Sequence, residues 1–137
     1  MNAKRTSTTI TTSSAVVLAV GGIALLFGSN ELLAPMVPGA SAGITVLGQM
    51  VAAGWLAVAW LNWNQRQMVI GGIYGRPTVL ANFTLYLISV SSLAHRLMAG
   101  GAPVVLLVLA LLFGLLTLVY AMLLLRGPFG SDRLERS

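Results

Sequence analysis

Four long apolar runs, each closed by its own stop signal, limit this chain more than any other feature. They cover about residues 13–33, 41–63, 77–97 and 103–125, and each supplies the roughly 20 mostly apolar residues that one helix needs to cross a bilayer. The first follows the Thr/Ser-rich stretch 6–14 and ends at Asn30, Glu31 and then Pro35 and Pro38, prolines that lack an amide hydrogen and cannot continue a helix. The second stops at Asn64-Gln65-Arg66-Gln67, too polar for hydrocarbon. The third opens on Pro77, a favoured first helical position, and the fourth runs from Pro103 to Leu125 before Arg126-Gly127-Pro128. In 137 residues four spans leave only tails and short loops, so residues 1–137 read as a single four-span membrane domain. Short connections make consecutive helices antiparallel neighbours. The expected fold is all-α: an integral membrane, antiparallel four-helix transmembrane bundle.

Composition agrees. The chain is 57% hydrophobic and 8% charged, against roughly 25% charged residues in a soluble domain. The run Ala15–Phe27 behind Lys4 and Arg5 has the form of a signal-peptide core, but Phe27-Gly28-Ser29-Asn30-Glu31 offers a poor cleavage site, so an uncleaved first helix is expected. Eight Lys+Arg against three Asp+Glu give a net charge of +5. In a soluble protein that excess would suggest nucleic acid; here there is no basic face for a duplex, and the cations flank apolar runs, where anionic lipid headgroups are the expected partners. Lys4, Arg5, Arg66, Arg76, Arg126, Arg133 and Arg136 fall on one side of a four-span layout and only Arg96 on the other. The side that collects Lys and Arg stays cytoplasmic, so both termini are expected there, in a multi-pass protein of a cell inner membrane. The absence of Cys removes disulfides, thiolate chemistry and Cys-ligated metals together. No cofactor and no metal is expected, since the single histidine, His95, cannot supply a ligand set by itself.

Three groups of residues are candidates for a site. In the second span Gly48, Ala52, Trp55, Ala59 and Asn62 recur at steps of three and four and share one helical face, as small residues do where helices approach closely in lipid. Gln49, Ala53, Trp60 and Trp63 line the neighbouring face, with both indoles at headgroup level. The third span is the most polar, and Asn82, Tyr86 and Ser89 with Gln49 and Asn62 form either interhelical hydrogen-bonded pairs or a small polar cavity for a solute. At the outer end Glu31, His95 and Arg96 suggest an ion-pair cluster of little energetic weight. The longest connection, about 64–76, holds Arg66, Gly71, Gly72, Tyr74 and Arg76. Glycines, arginines and a helix start can bind a phosphate; the stretch lacks the Gly-Lys-Ser/Thr ending of a Walker loop, and contact with a lipid headgroup is the plainer reading.

The order Asn62-Trp63, Arg66, Gly71-Gly72-Ile73-Tyr74, Arg76-Pro77 and Asn82-Phe83 resembles a family of small four-helix bacterial membrane proteins, loosely similar to DoxX-like proteins. The resemblance covers about a third of the chain, implies a bundle in a bacterial inner membrane, and supplies no catalytic residue. Small multidrug exporters share the layout but carry a glutamate deep in the first helix, where this chain has Val20-Gly21-Gly22-Ile23. With no nucleophile, base and orienter set, the chain is not expected to be an enzyme. The expected role is a non-catalytic packing or accessory component of the membrane, as a homo-oligomer or in a larger membrane complex. A small-solute or lipid binder or transporter, using the polar face of the third span and the Gly/Arg loop, is the alternative.

Overall fold

The computed structural model describes residues 3–33, 42–69 and 74–126. These form four α-helices and, among the described residues, no strand: α1 (Ala3–Leu33), α2 (Ala42–Gln65), α3 (Arg76–Met98) and α4 (Val104–Arg126). Segments of 22 to 30 residues in the four helices are long and apolar enough to cross a membrane, and at 1.5 Å per residue even the shortest exceeds a hydrocarbon core about 30 Å thick. Both prolines expected to stop α1, the loop that holds them and the basic tail of Arg133 and Arg136 lie outside the described residues.

Helices α2, α3 and α4 begin and end within two residues of the expected spans, whereas α1 starts about ten residues early. The cause is local. Thr8, Thr9 and Thr11 donate their hydroxyls to the carbonyls of Lys4, Arg5 and Ser7, at 3.0, 3.0 and 2.8 Å, so the Thr/Ser stretch satisfies its polar side chains on its own helix. Near its other end α1 kinks at Gly28, which leaves the helical region at φ −110° and ψ 21°. The next residue, buried Ser29, donates its hydroxyl to the Leu25 carbonyl, a back-bond of the kind that bends helices.

Two compact units divide the chain: Thr12–Asn64, and Met1–Thr11 with Gln65–Ser137. In the first, α1 and α2 run antiparallel and are held close by residues without side chains. A Cβ on Gly21 would fall 2.8 Å from the Trp55 ring, one on Gly22 would fall 2.9 Å from Leu56 and 3.3 Å from the Ala52 carbonyl oxygen, and one on Gly48 would fall 3.0 Å from the Ser29 hydroxyl. The stripe read from the sequence is the buried face of α2: Gly48, Ala52, Ala59 and Asn62 are buried and Trp55 half-buried.

The second unit packs α3 against α4 through larger groups. Tyr86 lies between Phe113 and Tyr120, with ring centroids 5.3 and 5.8 Å away, inside the 4.5–7 Å over which tilted aromatic pairs attract. Val79 and Leu123 are buried along the same seam. The α3–α4 turn uses Gly100 and Gly101 at φ +80° and +65°, the left-handed conformation that glycine adopts without a Cβ penalty. Away from these seams the surface is apolar: only 17–28% of each span's most apolar window is buried, and Val20, Phe27, Leu47, Met50, Ile88, Leu111, Leu115 and Leu118 stand exposed.

Candidate functional site

The α2–α3 connection carries the basic candidates. Arg66 is half-buried in the turn after α2, closed by the Met68 amide donating to the Gln65 carbonyl at 2.9 Å. Tyr74 and Arg76 are exposed; Gly71 and Gly72 lie outside the described residues. Gly75 caps α3 without a side-chain hydrogen bond, Pro77 sits in the first turn, and no acidic residue accompanies it there. The first turn of α3, at the positive end of the helix dipole, therefore carries the cation Arg76 and no carboxylate. Arg76, Pro77 and Leu80 of α3 form with Leu124 of α4 an open groove of about 470 Å³.

One contact here escapes the sequence. Fully buried Thr78 donates its hydroxyl to the Gln65 side-chain oxygen at 2.6 Å, tying the end of α2 to the first turn of α3. A Thr one residue after a helix-opening Pro reads as an ordinary first-turn residue, and only the partner's position reveals the bond.

The five polar candidates on α2 and α3 divide between the units. Gln49 is exposed and Asn62 fully buried on α2; Asn82 and Tyr86 are fully buried and Ser89 half-buried on α3. Thr78, Asn82 and Tyr86 follow one another at steps of four along the inner face of α3, and the Asn82 amide donates to the Thr78 carbonyl at 2.8 Å. On α4, Phe113, Thr117 and Tyr120 form the opposing row, with the Thr117 hydroxyl bonded to the Phe113 carbonyl at 2.7 Å. This seam holds aromatic rings, hydroxyls and an amide. The Asn82 and Thr117 bonds are made to carbonyls of their own helices; amides, hydroxyls and phenols carry no charge at neutral pH.

Of the trio Glu31, His95 and Arg96, the first lies on α1 and the other two on α3. Glu31 is exposed in the last turn of α1 and His95 exposed in the last turn of α3. Arg96, half-buried, donates its guanidinium to the Gly100 carbonyl at 2.9 Å. Arg96 places positive charge at the negative end of the α3 dipole, with His95 in the same last turn, where basic side chains stabilise a C-terminus. The sequence signal for this cap was present in the Arg before Gly100-Gly101.

In the Thr12–Asn64 unit, a cleft of about 380 Å³ lies between α1 and α2, with Ala15, Ala19 and Ala59 as its small residues and Leu56, Trp60 and Trp63 as its larger ones. The four-residue step from Ala15 to Ala19 opposite Ala59 is the pattern that foreshadows it. Among the described residues no three His, Cys, Asp or Glu side chains gather where they could hold a metal ion. No family model matches the chain, and no curated protein and no solved structure matches it.

Proposed function

We propose that the chain is a non-catalytic integral membrane protein of a bacterial inner membrane: an antiparallel four-helix bundle with both termini in the cytoplasm, acting as a packing or accessory component of the membrane or of a larger membrane complex. The observation that carries this reading is the apolar surface. Four helices of spanning length leave large hydrophobic side chains exposed on every one of them, far more than a monomer in water leaves uncovered, and the buried polar groups are uncharged amides, hydroxyls and phenols. Basic residues at the N-terminus and in the α2–α3 connection support the orientation, and the loose resemblance to DoxX-like proteins in the order Asn62-Trp63, Arg66, Gly71-Gly72-Ile73-Tyr74, Arg76-Pro77 and Asn82-Phe83 is the ground for a bacterial inner membrane.

The test is biochemical. The protein should stay with membranes through an alkaline carbonate wash and leave mild detergent as a homo-oligomer or a stoichiometric complex with another membrane protein, read by native mass. A strictly monomeric species with no companion counts against the accessory role. A lipid-binding role is the second reading, favoured by the groove that Arg76, Pro77, Leu80 and Leu124 form.

A further inference from the structure

We propose that the groove between the start of α3 and the end of α4 is a specific site for one anionic glycerophospholipid of the cytoplasmic leaflet; the inference rests on the membrane reading above and deepens its lipid form. The groove is chemically two-ended. At its rim Arg76 presents a guanidinium, exposed, with no carboxylate in the first turn of α3 to neutralise it. Deeper along the helices its walls are Pro77, Leu80 and Leu124, hydrocarbon only. Leu80 stands one turn further into the span than Arg76, so the cation and the apolar floor are stacked along the bilayer normal in the order headgroup, then acyl chain.

An occupant must match both ends. A soluble anion would satisfy Arg76 and leave the leucines bare, whereas a neutral or zwitterionic lipid would cover the leucines without a net charge to match the guanidinium. Anionic glycerophospholipid satisfies both, its phosphodiester accepting hydrogen bonds from the planar guanidinium and an acyl chain lying against Leu80 and Leu124. The groove differs from other exposed apolar surface, such as Leu111, Leu115 and Leu118 of α4, in having Arg76 among the residues that line it.

The experiment uses the full chain in mild detergent, titrated with dioleoylphosphatidylglycerol, dioleoylphosphatidylcholine or sn-glycerol 3-phosphate, and reads both thermal unfolding and lipid retained in native mass spectra. Phosphatidylglycerol should raise the unfolding temperature and remain bound at one per chain; the other two should do neither. Arg76→Ala should weaken phosphatidylglycerol about fivefold, the effect of one basic residue at an anionic surface. Leu80→Trp, which fills the groove and keeps the charge, should reduce retention while leaving the lipid-free unfolding temperature unchanged; if that variant does not fold, Arg76→Ala decides alone. Unchanged retention in Arg76→Ala, equal effects of the two lipids, or equal stabilisation by glycerol phosphate overturns the lipid site. A wild-type chain that leaves the membrane in the carbonate wash overturns the membrane reading as well, whereas a membrane-embedded chain indifferent to lipid charge overturns this inference only.

Discussion

The two helix pairs solve one problem in opposite ways. The α1–α2 pair is joined by absence, with Gly21, Gly22 and Gly48 letting backbone and ring come within distances that a Cβ could not occupy. The α3–α4 pair is joined by bulk, with Tyr86, Phe113 and Tyr120 filling the seam and hydroxyls and an amide hydrogen-bonding along it. In lipid, apolar burial gives no drive for one helix to meet another, so association depends on close packing or on interhelical polar and aromatic contacts. The first unit uses close packing and the second aromatic contact, while the Asn82 amide and the Thr117 hydroxyl are bonded to carbonyls of their own helices.

That contrast can be broken from either side. The largest effect is expected for Tyr86→Ala, which empties the centre of the aromatic seam: a loss of about 3–5 kcal/mol, the range for deleting a large buried aromatic, read by reversible unfolding in mixed micelles. Gly21→Val comes next, since its Cβ would meet the rigid Trp55 ring at 2.8 Å; overpacking of this kind costs about 1–3 kcal/mol, and Trp55→Ala in the same chain should recover most of it. Asn82→Ala should cost about 0.5–1.5 kcal/mol, the net contribution of a typical intramolecular hydrogen bond, with its signature in faster amide exchange near Thr78. Smallest is Gly54→Ala. Nothing lies within 4 Å of that position, so the change should be neutral or stabilising by up to about 1 kcal/mol through helix propensity. Equal destabilisation by Gly21→Val and Gly54→Ala would erase the distinction between a packed and an open glycine.

Much of the helix layout was legible because breakers are explicit: Pro77 in the first turn of α3, Pro103 just before α4, and Asn64-Gln65-Arg66-Gln67 across the end of α2. The start of α1 was not, because a hydroxyl bonded to its own helix carbonyl, as in Thr8 and Thr11, leaves no mark in a hydropathy pattern. Facing was legible only through size. Gly48 and Gln49 are neighbours on α2, yet the first is buried and the second exposed; a helix apolar all round gives hydropathy nothing to sort, so the small-residue stripe was the usable signal. The arginines show the same limit. Arg96 as a helix cap and Arg76 as the rim of a groove differ in what lies four residues on or across on another helix, information that depends on the fold.

The most direct test of a four-span protein with a cytoplasmic α2–α3 connection is single-cysteine labelling, since the chain has no native Cys. Gln67 and Ala99 are exposed, each in a connection between helices. In intact cells a membrane-impermeant maleimide should label Ala99→Cys and spare Gln67→Cys until the membrane is permeabilised; labelling of both from outside, or of Gln67→Cys alone, would contradict the topology.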